Sequence, residues 1–200
     1  MVASNAAAAL HGRRGDTRQE GGRGAKAMRT TVTKAGDGGE TSLFDGTRVS
    51  KTSVPIEALG LVDEAQAALG MARALAQNPA VSEELRDAES LLAVMMADVA
   101  DPGRDPLLGP DDVAALEQTV ALLATPLPDG FGFDLPGANP SSAQLHVART
   151  VVRRCERALW RLRAQDAEGS RPIVADAAMA YLNRLSDLCF VCALIEARDA

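Results

Sequence analysis

Residues 145–163 read LHVARTVVRRCERALWRLR, and the rest of the chain is organised around them. Leu145, Ala148, Val152, Cys155, Leu159 and Leu162 recur at steps of three and four, the spacing of a helix laying one apolar seam against its neighbours. Arg149, Arg153, Glu156 and Trp160 follow the same steps one residue further on, as a second stripe at the edge of that seam. Arg153 and Arg154 add adjacent cations, and a planar guanidinium suits bidentate contact with phosphate oxygens. Alone, the stretch is equally satisfied by a bundle helix with solvated arginines paired to Glu156, each pair contributing about 0.2–0.5 kcal/mol.

Outward from this helix, composition narrows the class. Two hundred residues are enough for one domain with a real core. Apolar residues make up 46% and aromatics only 3%, which favours close-packed helices over a β-sandwich. A formal charge of −6 argues against a nucleic-acid scaffold. No apolar run approaches the length that spans a bilayer, so no membrane partner is expected. Cys155, Cys189 and Cys192 are odd in number and fall in expected helices, which points to free thiols in a reducing cytoplasm. Cys189 and Cys192 form a C-x-x-C without companion ligands, read as small buried side chains. His11 and His146 are too separate for a metal cluster, and no metal site is expected from side chains alone.

Residues 1–28 run from an alanine stretch into a Gly- and Arg-rich segment without apolar period. A disordered arm or an over-extended start with Met28 as initiator fits this composition. A targeting peptide fits less well, because Asp16, Glu20 and the glycines oppose an amphipathic helix. The domain is therefore expected over 29–200. Residues 33–51, TKAGDGGETSLFDGTRVSK, crowd glycines, lysines and hydroxyls into a loop whose amides could approach an anion. It is not a Walker A loop, since no G-K-[ST] closes it.

Helical patterns follow. The first starts near Pro55 with an apolar face of Leu61, Ala65, Ala68, Ala72 and Leu75, flanked by Gly60, Asp63, Ala67 and Gly70. The second follows Asn78-Pro79 and carries Leu85, Ala88, Leu92, Met95 and Val99. The third, capped by Asp111 or Asp112, turns Val113, Leu116, Val120 and Leu123 inward. A loop bearing Phe131 and Phe133 leads to the central helix, and its aromatics either plug the bundle end or meet a flat ligand. The last seam is Val174, Ala178, Tyr181, Leu185, Leu188, Cys192 and Ile195, with Asn183 and Asp187 on a polar flank. The expected fold is all-α, an antiparallel five-helix bundle of the ferritin-like up-and-down type with an N-terminal glycine-rich loop. Asp63, Arg149, Arg153, Glu156, Asn183 and Asp187 at seam edges are not there for stability, because buried charge costs several kcal/mol unless paired.

Four ordered blocks carry a resemblance to a known family: TKAGDGGETSLF with the following RVSK, EALGLVDE, FDLPG with LHVARTVVRRCER, and YLNRLSDLCFV. Together they resemble the PduO-type ATP:cob(I)alamin adenosyltransferases over residues 31–194. The resemblance implies that the glycine-rich loop is an ATP loop and that the bundle assembles as a homotrimer with active sites between subunits. It also implies that Thr33, Lys34, Gly36, Thr41, Ser42, Lys51, Arg153, Arg154, Glu156 and Asn183 hold ATP and its Mg²⁺, Glu156 being the candidate contact to the metal. Asp63 and Arg149 would pair near the corrin across the subunit boundary, and Phe133 would take the place of the corrinoid's lower axial ligand. Cobalamin is then a substrate, and a flavoprotein reductase and an adenosylcobalamin-dependent mutase are the implied partners.

The sequence departs from the family pattern at Ala35, at Gln66 and at Ala138. A rival of another class is a corrinoid- or ATP-binding paralogue without turnover, or an enzyme using a different acceptor. Lys51, Arg153, Glu156 and Asn183 favour turnover, since a carrier has no evident need of a triphosphate clamp.

Overall fold

The computed structural model describes residues 34–43, 46–101, 103–128, 135–165 and 173–198. Thr33, Phe131, Phe133 and the segment 1–28 lie outside them. Two short strands come first, β1 (Glu40–Ser42) and β2 (Arg48–Ser50), followed by α1 (Val54–Leu75), α2 (Pro79–Ala100), α3 (Pro110–Ala124), α4 (Pro140–Gln165) and α5 (Asp176–Arg198).

Proline marks four of the helix starts. Pro79 and Pro110 stand at the first helical position, and Pro55 and Pro140 in the opening turn, where a missing N–H costs nothing. Asn78 caps α2 by accepting from Ala80 N at 3.0 Å and Val81 N at 3.5 Å. Asn139 does the same for α4, its Oδ1 accepting from Ser142 N at 2.8 Å. The cap of α3 differs from expectation. Gly109 stands at the cap, and Asp112 reaches back so that its Oδ2 accepts from Gly109 N at 2.8 Å.

Consecutive helices alternate in direction. Arg154 meets Glu64 across α1 and α4, and Asn183 meets Glu156 across α4 and α5. Helix α4 packs between α1 and α5, α2 lies outside α1, and α3 lies on α5. One neighbouring pair runs in parallel, α3 with α5. Glu117 pairs with Arg184 near one end, and the Pro126 carbonyl accepts from Arg198 near the other.

Every residue of the α4 seam is buried, as are Leu85, Ala88, Leu92, Met95 and Val99 of α2. The α1 seam is shifted from the expected one. Ala58, Val62, Ala65, Leu69 and Ala72 are buried, while Leu61 is only partly covered and Leu75 is exposed. In α3 only Leu116 is fully buried, because that helix has a single principal neighbour. By length and mean hydropathy (1.4) α5 could cross a membrane, contrary to the expectation that no segment could. Two-thirds of that window, 67%, is buried inside the bundle, since α3 and α4 cover it from two sides. Cys155, Cys189 and Cys192 are free and buried, and burial pushes the Cys155 and Cys189 thiols up to about 12.

Candidate nucleotide site

The glycine-rich segment is not a plain loop: it folds as an antiparallel ribbon with Thr41 opposite Val49. Ahead of it, a tight turn is closed by Asp37 N to the Lys34 carbonyl and Gly39 N to the Gly36 carbonyl, both at 3.2 Å. Lys34 takes a left-handed backbone (φ 58°), uncommon for a residue with a side chain, and Gly39 (φ 82°) meets the same demand without a Cβ clash. Arg48, unnoticed in the sequence, pins the turn by donating to the Ala35 carbonyl at 3.1 Å and to Glu40 at 3.3 Å.

The ribbon returns the chain to Lys51, whose N–H bonds the Gly39 carbonyl at 2.9 Å. The Lys51 ammonium then folds back against the turn. A Cβ added at Gly36 would stand 2.9 Å from Lys51 Nζ, so the flexible tip of Lys51 would have to move aside for it. Lys51 enters no ion pair among the described residues. Thr41 is half-buried and Ser42 exposed on the ribbon.

Beyond the ribbon, the expected site residues divide between opposite flanks of α4, because each residue turns the helix by about 100°. On the α1 flank, Arg154 pairs with Glu64. Further along the same flank a cleft of about 330 Å³ is lined by Lys51, Thr52, Val54, Glu57, Ala158 and Arg161. On the α5 flank, half-buried Glu156 accepts from Asn183 Nδ2 at a long 3.5 Å. The Asn183 Oδ1 accepts from Arg184 Nη1 at 2.7 Å, and Arg184 Nε reaches Glu117 at 2.8 Å. Arg149 lies on this flank with its Nε buried and without an acceptor among the described residues. Arg153 is exposed, and its side chain has no carboxylate partner among the described residues.

Asp63 is not at a seam edge. The shift of the α1 seam to Val62 and Leu69 turns Asp63 to the outer face, exposed and without an ion pair among the described residues. One chain therefore brings together Gly36, Lys51 and Arg161 on one flank, and Glu156 and Asn183 on the other, with Arg149 two turns away on that second flank. It does not bring the two sets together. Of the departures from the family pattern, Gln66 is structural: its Nε2 donates to the Glu89 carbonyl at 2.8 Å and ties α1 to α2. Ala35 and Ala138 are exposed.

The helical bundle thus carries a lysine beside a glycine turn, and cations without carboxylate partners among the described residues. Residues 31–196 match the family model described as Cobalamin adenosyltransferase. A corrinoid adenosyltransferase of Citrobacter freundii is 38% identical over 177 residues, covering 84% of this chain and 96% of the relative. A cobalamin adenosyltransferase of Cupriavidus metallidurans is 40% identical over 168 residues, covering 82% and 86%. Among solved structures, a phenylalanine-to-alanine variant of a PduO-type ATP:corrinoid adenosyltransferase from Lactobacillus reuteri, complexed with cobalamin and ATP, superposes with a TM-score of 0.74. It is 26% identical, with 85% of this chain and 93% of that chain covered. The chain belongs to the cobalamin adenosyltransferase family.

Proposed function

We propose that this protein transfers the 5′-deoxyadenosyl group of ATP to the cobalt of cob(I)alamin, forming adenosylcobalamin and releasing triphosphate. Beside family membership, one observation carries the reading: the Lys51 ammonium lies against the Gly36 turn and has no carboxylate partner among the described residues, which leaves it open to a phosphate. Reduced cobalt supplies the nucleophile, so no general base is needed. Its electron pair forms the Co–C bond, and the C5′–O pair leaves on the triphosphate. The protein's task is to align the two substrates and to stabilise that anion.

In this reading the glycine-rich ribbon, with Thr33, Lys34, Thr41 and Ser42, binds ATP, and Arg153, Arg154, Glu156 and Asn183 complete the site. Among the described residues no group of three metal-binding side chains exists, so Mg²⁺ would arrive on ATP. Glu156, held by one long amide contact, fits as a single carboxylate added to phosphate oxygens. Phe133 would lie against the lower face of the corrin, favouring the four-coordinate cobalt from which a flavoprotein reductase reaches Co(I). The product would serve an adenosylcobalamin-dependent mutase, and the buried free thiols agree with a cytoplasmic setting.

The site would form between copies. Among the described residues Arg149 has a buried Nε without an acceptor and Asp63 is a carboxylate without a cation, on different faces of the chain. Two turns from the Glu64–Arg154 pair, Met71 is 59% exposed on α1 and Val147 49% exposed on α4. Two unlike faces meeting head to tail close into a ring, and a homotrimer is the proposed assembly.

Anaerobic incubation with cob(I)alamin and MgATP is the test. The cobalt–carbon spectrum should appear with one triphosphate released per transfer. Binding of both substrates without triphosphate release would identify a carrier.

A further inference from the structure

We propose that Arg161 is a second cation of the polyphosphate subsite, gripping with Lys51 the terminal phosphates of the nucleotide and the triphosphate it becomes. The identity of the anion rests on the adenosyl-transfer reading; the subsite itself rests on the cleft. Arg161 lines the same 330 Å³ cleft as Lys51, together with Thr52 and Glu57. That volume lies within the range of small-ligand sites, roughly 300–1,000 Å³.

The neighbouring arginines of α4 are all engaged on this side of the helix or near its end. Arg154 is held by Glu64, Arg157 Nη1 bonds the Arg153 carbonyl at 3.0 Å, and Arg163 pairs with Asp176 while lying 5.5 Å from the Trp160 ring centroid. Arg161 alone of these four has no ion pair or side-chain hydrogen bond among the described residues. It is exposed on the flank to which the ribbon delivers Lys51.

The two cations are complementary. The lysine is a point charge lying beside Gly36, and the guanidinium is a planar fork that takes two oxygens at once. With Glu57 at the rim, the charged side chains of the cleft sum to one positive charge, which suits a polyanion and repels a cation. Between the cleft residues Thr52 and Val54, N-cap Ser53 makes no side-chain bond to the first-turn amides of α1, so the start of that helix adds its own positive pole. As the C5′–O bond breaks, charge grows on the leaving oxygens, and both cations meet it.

Titration calorimetry of the full chain with inorganic triphosphate, without corrinoid, tests this. R161Q should weaken binding at least tenfold, R161K should restore part of it, and E57Q should tighten it severalfold. Thermal midpoints should be unchanged, since both side chains are exposed. Undiminished triphosphate binding by R161Q, or no binding by the wild type, would overturn the proposal. A wild-type chain that forms the cobalt–carbon bond while R161Q keeps its triphosphate affinity sinks this inference alone. A wild-type chain that makes no such bond, but loses its triphosphate grip in R161Q, upholds the subsite and sinks the transfer reading.

Discussion

Two corners of the bundle hold charge in opposite ways. Where α1 turns into α2, the Glu196 carboxylate is fully buried and accepts from Gln77 N at 3.0 and 3.1 Å and from Asn78 N at 3.0 Å. Its own backbone carbonyl accepts from Asn139 Nδ2 at 2.6 Å. One acid thus ties the α1–α2 turn and the start of α4 to the end of α5. At the opposite end, Lys51 and Arg161 share a cleft and satisfy no partner within the described chain. A charge whose bonds are completed internally holds the fold, because an unmade bond at a buried group costs about 1–3 kcal/mol. A charge kept exposed and unpaired contributes little to holding it and stays open to a ligand.

The largest break of this contrast is Glu196→Ala. Two backbone donors lose a buried charged acceptor, and stability should fall by about 1–3 kcal/mol for each, read by urea denaturation, while turnover per folded molecule is preserved. Lys51→Ala should do the reverse. Stability should stay within about 0.5 kcal/mol, while the Michaelis constant for ATP rises tenfold or more, matching a charge-assisted contact of roughly 1.5–3 kcal/mol. A loss of stability equal to that of Glu196→Ala would make Lys51 a packing residue.

Gly36→Ala is a finer probe of the same corner. Its Cβ would displace the tip of Lys51, so ATP affinity should drop severalfold with the ammonium still present. Unchanged affinity would show that the seat of Lys51 against the turn does not matter.

The smallest expected effect lies on α2, away from both corners. Burial first, then neighbouring carboxylates, hold the Glu84 carboxyl above its usual range, while a bond with Thr119 opposes them; burial also raises Asp87. Folded values above the unfolded ones mean that these acids favour the fold while protonated. That contribution is lost as pH rises through their folded-state values. Both groups are partly solvated, so Glu84→Gln should gain only a few tenths of a kcal/mol at neutral pH. The gain should vanish in acid, as thermal midpoints across pH will show.

The legible parts of the sequence were those where one face meets a crowded core. The α4 seam could be read residue by residue, because α1 and α5 flank it closely and leave a narrow buried stripe. The α1 seam agrees with the expectation at Ala65, Ala68 and Ala72 and departs from it at Leu61 and Leu75, since alanines and leucines occur on several faces and those two keep the helical period as well as Val62 and Leu69 do. Asp63 consequently moved from a seam edge to the outer face. Glu196 was invisible because its partners are backbone amides, which leave no side-chain pattern. Arg161 was missed for another reason: its companion Lys51 comes from a distant segment that only the ribbon brings beside α4. The separation of Lys51 from Asn183 could not be foreseen either, since it depends on which flank of α4 each neighbour covers.

That separation is the centre of the account, and subunit complementation tests it most directly. Chains carrying Lys51→Ala and chains carrying Asn183→Ala should each be poorly active alone. Unfolded and reassembled together, they should recover a substantial fraction of wild-type adenosyl transfer, because some interfaces then pair an intact Lys51 from one chain with an intact Asn183 from the next. Activity of the mixture no greater than the mean of the two separate variants would contradict a site shared between copies.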